Sequence, residues 1–315
     1  MQQVQWQQAW QELPTQGSAR AVEHAVVRGA DHAARAFAAR CLPANASREV
    51  FEDIALPLGL FFLCGDLSAS HTQRLRASLG ELFPGSGRSA PSSCWITTKL
   101  AAWWDEVRAR YSASRVSPYL SRLLREDFAA VLETMLAAPG TTWGPQQWER
   151  VRARAIGLRA FIELARVLLG IPLPARCSLA HWTRTLDLCA LCARLLNDAG
   201  SLPRDLANLQ AQSEIADPNW ILIRAQAQRP TQDPREWALE SLSGELEACR
   251  RLHNDALAEV ELTLCALGEG PLRELVLRAI GGHDQATREL SSRYADAGAR
   301  LRGFERLDTG AAVAH

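Results

Sequence analysis

The sequence predicts an all-α protein, one helical domain of about twelve helices around a central apolar cavity. Three observations predict it. Apolar residues recur at helical spacing along nearly the whole chain, and strand-like alternation is almost absent. Apolar residues make up 47% of the 315 positions, enough for a substantial core. Gly and Pro cluster at a few short breaks, near Phe83–Ser93, Ala138–Pro145, Gly170–Pro174 and Arg229–Pro234, and none is long enough for a domain linker.

In order, the periodicity places helices at about 18–41, 47–64, 70–82, 97–112, 117–137, 145–169, 178–199, 203–214, 219–228, 234–267, 270–281 and 284–305. Pro145 suits a first helical turn, and Asp233 before Pro234 suits a cap. Pro203 is expected to kink or restart a helix. The expected organisation is a flexible Gln-rich segment over 1–17, one domain over 18–305, and a tail over 306–315. So many helices do not fit a simple four-helix bundle, and a layered arrangement is expected.

Charge excludes several functions. Lys plus Arg balance Asp plus Glu, so there is no electrostatic footprint for nucleic acid or an acidic membrane. An anionic ligand must then be handled by a local site. The start lacks the basic, apolar pattern of a signal peptide, and no stretch reaches membrane-spanning length, so a cytoplasmic protein is expected. The eight cysteines fall mostly within apolar helical patterns and read as buried thiols, including the pair Cys189 and Cys192. There is no H-E-x-x-H, G-x-S-x-G or G-K-[ST] phosphate loop. His24, His32, His181, His253 and His283 are isolated and read as structural.

One polar position breaks a stripe. Leu179, Trp182, Leu186, Ala190 and Ala193 define an apolar face whose next step is Asn197. A polar group at a buried position costs free energy unless it is satisfied, so it has a reason. Asn197, Ser201 and Asp205 follow at i, i+4, i+8, and on one helix they form a row of oxygen donors about 12 Å long. Oxygen donors with a single carboxylate suit magnesium, which takes phosphate oxygens and waters as its other ligands.

The run Asn197-Asp198-x-x-Ser201-x-x-Arg204-Asp205 resembles the second metal motif of class I terpene synthases, particularly the bacterial ones, with Asp205 in place of the usual Glu. The resemblance implies that Asn197, Ser201 and Asp205 chelate magnesium and that Arg204 contacts a diphosphate. Near the C-terminus, Arg293 falls on an apolar stripe through Ala286, Leu290, Ala297, Leu301 and Phe304. Arg293-Tyr294 is similar to the family's Arg-Tyr pair, which holds the diphosphate. The helix from Trp148 to Leu164 resembles the family's helix bearing a diphosphate-sensing arginine and a backbone break. Arg152 is favoured as sensor, Arg154 flanks it, and Gly157 marks the break. The first, Asp-rich motif is degenerate: Asp66 keeps its acid, while Leu67 and His71 stand where further acids belong. A lone carboxylate weakens a site for several ions, because ligand charge sets affinity.

The resemblance implies the class I terpene synthase fold and a magnesium-dependent lyase. Three ions bound with the substrate diphosphate would ionise a prenyl diphosphate, farnesyl or geranylgeranyl above others. Phe61, Phe62, Phe161 and Trp182 are candidate cavity walls. The alternatives are a same-fold enzyme giving a linear terpene alcohol or prenyl transfer, or a non-catalytic isoprenoid-diphosphate binder. The expected partner is the small-molecule prenyl diphosphate, with no nucleic acid and no membrane span; the sequence leaves the oligomeric state open, a homodimer being one alternative.

Overall fold

The computed structural model describes residues 19–64, 73, 76, 95–111, 118–137, 144–212, 219–268 and 270–285, and among them there is no strand. The helices are α1 (Ala19–Cys41), α2 (Arg48–Cys64), α3 (Trp95–Arg110), α4 (Pro118–Leu136), α5 (Pro145–Val151), α6 (Leu158–Leu168), α7 (Leu179–Gln212), α8 (Trp220–Gln228) and α9 (Ser243–Leu267). A further helix, α10, runs from 271 to the last described residue, 285. The all-α class is therefore the observed one.

Local chemistry explains several of these elements. Ser47 Oγ accepts the Val50 backbone N–H at 3.2 Å, capping α2. Pro57 lies inside α2, and its missing N–H leaves the Asp53 carbonyl without its helical donor. The Trp103 indole N–H takes that place at 2.9 Å, so the defect in α2 becomes the anchor for α3. Asp53 itself, 5% exposed, pairs with Arg110 at 2.8 Å, tying the end of α3 to the same turn.

Helices α1 and α2 form a hairpin on one side, and α7 and α9 form an antiparallel pair on the other. Contacts from Arg184 to Glu259 and from Cys249 to the Leu195 carbonyl set that antiparallel sense. Helices α4 and α6 pack between, with α6 touching both α2 and α7. The main core is formed mostly by α1, α2, α4, α6 and the first half of α7. A second core, around Trp148, Leu202, Leu206, Leu209, Trp220 and Trp237, lies behind the second half of α7. Gly282 lets α10 close on α1, since a Cβ there would stand 2.8 Å from Cys41 Sγ.

Three expected boundaries change. Pro203 does not break the chain into two helices: α7 runs unbroken for 34 residues through it. Pro203 is exposed, so its ring lies on the outer side of α7, away from the core. The single helix expected over 234–267 is instead two 3-10 turns, Pro234–Glu236 and Leu239–Leu242, followed by α9. Trp237 is extended between them and 3% exposed, and its carbonyl accepts from Gln210 at 2.9 Å. Burial of that indole overrides the local helical preference. The break expected near 282 is absent, because 271–285 is continuous. The helix expected over 70–82 lies outside the described residues apart from 73 and 76. No helix among the described residues is long and apolar enough to cross a membrane.

Candidate functional site

The stripe on α7 behaves as its spacing requires from Trp182 onward, whereas Leu179, at the first turn of the helix, is 49% exposed. Trp182, Leu186, Ala190 and Ala193 are buried, and Asn197 is half-buried at the end of the same row. One turn on, Ser201 is 9% exposed, and Asp205 is 4% exposed a turn later. Because α7 continues through Pro203, the three oxygen-bearing side chains share one helix at successive turns. Ser201 Oγ donates to Asp205 Oδ2 at 2.6 Å, so two of the three donors are already in contact.

The rest of the Asp205 carboxylate is occupied too. Arg204 Nε and Nη2 donate to Oδ1 at 3.0 and 2.8 Å, from a guanidinium that is 43% exposed. Asn219 Nδ2 donates to Oδ2 at 2.9 Å. Asn219 is fully buried and sits at the N-terminus of α8, where its Oδ1 accepts the Ile221 N–H at 2.9 Å. Its Nδ2 also reaches the Asp198 carbonyl at 2.8 Å. Sequence reading missed this residue as part of the site. The available signal was an Asn immediately before Trp-Ile-Leu-Ile, a cap pattern that does not reveal a long-range partner.

Asp198, inside the motif, faces the other way. It is fully buried, pairs with Arg194 at 2.5 Å, and accepts the Trp220 backbone N–H at 2.7 Å. It therefore fastens α8 to α7 and leaves the oxygen row to its neighbours.

The helix expected over 145–169 breaks in its middle. After α5 come a 3-10 turn, Arg154–Ile156, and Gly157 at φ +74°, which opens α6. A Cβ at Gly157 would lie 2.8 Å from two carbons of the Phe61 ring. Glycine is required twice over, by the left-handed backbone and by the approach of α2. The broken segment packs on both α4 and α7, and Trp148 on α5 meets Trp220 on α8 edge to face at 6.4 Å. Arg152 is buried at 5% exposure, whereas Arg154 is about one-third exposed and faces Glu126 at 4.0 Å.

The aromatic candidates are interlocked. Phe37 meets Phe161 at 4.9 Å and Phe62 at 6.4 Å, and Phe61 meets Phe62 and Phe128, all edge to face. Trp182 is fully buried, and its indole N–H donates to Glu163 Oε2 at 2.8 Å. Burial pushes the His283 imidazole down to about 4, with the Arg194 charge adding to the effect, so it is neutral. Burial also raises the thiols of Cys189 and Cys192, as inert core thiols require.

Asp66, Arg293 and Tyr294 lie outside the described residues. The structure brings together Ser201, Arg204 and Asp205, aligns Asn197 with them, and sets the break at Gly157 against the same helix. A separate cleft of about 380 Å³, lined by Leu169, Ile171, Leu264 and Pro271, lies beyond the N-terminal end of α7. At the helical rise that is roughly 30 Å from Ser201, so it is not this site.

A divalent ion is tested by the donor set. Among the described residues no three His, Cys, Asp or Glu side chains cluster as a metal site. The row at 197, 201 and 205 offers an amide oxygen, a hydroxyl and one carboxylate, all hard donors. Such a set fits magnesium completed by phosphate oxygens and does not fit a soft metal.

Comparison with known proteins agrees in fold. Linalool/nerolidol synthase from Streptomyces clavuligerus, solved in complex with 2-fluorogeranyl diphosphate, matches over 93% of this chain and 95% of its own, at 18% identity and a TM-score of 0.57. Germacradien-4-ol synthase from Streptomyces citricolor matches over 93% and 92%, at 14% identity and a TM-score of 0.59. Wild-type cucumene synthase covers 82% of this chain and 84% of its own, at 16% identity and a TM-score of 0.52. No curated protein matches in sequence. The family described as terpene synthase family 2, C-terminal metal binding, matches residues 66–225, which take in the break at Gly157, the oxygen row on α7 and the start of α8. The chain, with its all-helical fold and this metal-binding region covering half its length, belongs to terpene synthase family 2.

Proposed function

We propose that this protein uses magnesium to ionise a prenyl diphosphate, farnesyl or geranylgeranyl in the first instance, and guides the allylic cation to a cyclised product with release of diphosphate. The observation that carries the reading is the oxygen row on unbroken α7, with Ser201 Oγ and Asp205 Oδ2 2.6 Å apart and Asn197 one turn before. Membership of the terpene synthase family supports it, as does the diphosphate analogue bound by one structural neighbour.

Asn197, Ser201 and Asp205 would hold magnesium, in the three-ion arrangement that the resemblance implies. When bound, magnesium supplies a Lewis acid that neutralises charge growing on the leaving diphosphate. The chain contributes the rest. Arg204 sits beside the row with an accessible guanidinium suited to paired hydrogen bonds with phosphate oxygens. Arg152, at the C-terminal end of α5, would supply a buried cation beside the broken segment. Gly157 keeps that segment bent against Phe61, its N–H donating to the Arg154 carbonyl at 2.9 Å and its carbonyl accepting from Phe161 at 3.1 Å. The Phe37, Phe61, Phe62 and Phe161 cluster excludes water and offers ring faces that steady a cation.

The test is incubation with C10, C15 and C20 prenyl diphosphates plus magnesium, following diphosphate release and volatile products. Wild type is expected to release diphosphate only with the metal, and Asn197→Ala to lose turnover while remaining folded. Full activity in that variant would refute the ligand assignment. Protection by diphosphate against heat without any release would identify a binder instead. A linear alcohol as the sole product would replace cyclisation with ionisation and quenching.

A further inference from the structure

We infer that Asn219 is a positioning residue for the oxygen row, fixing one oxygen of Asp205 so that the other is the one exchanged at the metal site. The inference rests on the proposed function. Asp205 has two oxygens with unlike partners. Oδ2 accepts from Ser201 and from Asn219, both nearly or fully buried. Among the described residues Oδ1 accepts from Arg204 alone, whose side chain is 43% exposed.

These partners differ in freedom. The Asn219 amide is pinned at both ends: its Oδ1 caps α8 through Ile221, and its Nδ2 spans Asp205 Oδ2, the Asp198 carbonyl and, at 3.4 Å, Ser201 Oγ. Withdrawing it uncaps α8 and leaves a buried carboxylate oxygen with Ser201 as its remaining donor, each a free-energy cost. The Arg204 guanidinium swings out at little cost, since solvent already wets it. Oδ1 is thus the labile oxygen and Oδ2 the fixed one. The Ser201 hydroxyl is oriented by the same arrangement. Its proton points to Oδ2 and one lone pair faces Asn219 Nδ2, which leaves the other for an ion. Hydrogen bonds behind a metal ligand fix its direction, and their loss costs about 10–100-fold in affinity.

The experiment separates positioning from capping. Asn219→Ser and Asn219→Gly both remain compatible with the first position before a helix, and neither supplies an amide N–H that reaches Asp205. Mn²⁺ binding in the presence of inorganic diphosphate is measured by electron paramagnetic resonance for wild type and both variants, alongside thermal melting. The metal dependence of diphosphate release is titrated in parallel. Both variants are expected to melt within a few degrees of wild type, to bind Mn²⁺ about tenfold more weakly, and to regain most of their turnover at saturating magnesium. Unchanged Mn²⁺ affinity in either folded variant overturns the inference, as does melting so depressed in both that it accounts for the lost affinity. A wild type that binds no Mn²⁺ with diphosphate overturns the functional reading itself, and the role of Asn219 with it.

Discussion

Replacing Gly157 by alanine isolates the device that keeps the α5–α6 segment broken. Two penalties add. The backbone at φ +74° is left-handed, which costs an L-residue about 1–2 kcal/mol. The new methyl lands 2.8 Å from two ring carbons of Phe61, closer than any relaxed contact. Phe61 is 7% exposed and braced by Phe62 and Phe128, so its ring has little room to retreat. Overpacking of that kind costs about 1–3 kcal/mol. The expected loss is therefore about 2–5 kcal/mol, read by urea unfolding. A double-mutant cycle with Phe61→Leu divides the two terms, because the smaller side chain relieves the steric part and leaves the backbone part. The predicted coupling is at least about 1 kcal/mol in the relieving sense. A Gly157→Ala loss below about 0.5 kcal/mol, or no coupling to position 61, would refute the reasoning.

Two further perturbations test the surroundings. Asp198→Ala removes the carboxylate that pairs with buried Arg194 and accepts the Trp220 N–H, so a loss of about 2–5 kcal/mol in stability is expected. In contrast to Asn197→Ala, its Mn²⁺ affinity measured while folded should change little, and a large selective loss would place Asp198 in the metal site. His283 is held neutral in the fold, with its pKa near 4 against an ordinary 6.5. The unfolded chain takes up the proton first, so this residue's contribution is intact above about pH 6.5 and is lost as pH falls towards 4. The span corresponds to about 3 kcal/mol. His283→Phe keeps a ring against Phe37, which the imidazole meets at 5.7 Å, and removes the titration. Its stability should fall less steeply than wild type between pH 6.5 and 4, and parallel curves would contradict the buried neutral assignment.

Most helices were legible because their apolar stripes bury against neighbours, and the stripe from Trp182 to Ala193 pointed straight at Asn197. The misread boundaries share a cause. Pro203 and Pro234 look alike as punctuation, but their outcome depends on environment. Pro203 is exposed and the helix passes through it, whereas the chain after Pro234 is pulled extended by burial of Trp237 and its bond from Gln210. Within the site, the i, i+4, i+8 row was readable because helical geometry is local. The Asn219 contact spans 14 residues to Asp205, and the inward turn of Asp198 depends on Arg194 and Trp220 together. Such choices between adjacent side chains are made by tertiary partners that periodicity does not encode. The same holds for Arg152 and Arg154, of which only the first packs inward.

The central claim is that Asn197, Ser201 and Asp205 converge on a divalent ion that also grips a diphosphate. A crystal structure of the protein grown with Mn²⁺ and inorganic diphosphate, with anomalous scattering recorded at the manganese edge, addresses it most directly. A peak is predicted about 2.1–2.3 Å from an oxygen of each of the three side chains, with diphosphate oxygens completing the shell and Arg204 released from Asp205 Oδ1. A metal and diphosphate bound elsewhere, with Arg204 still seated on Asp205, would contradict it.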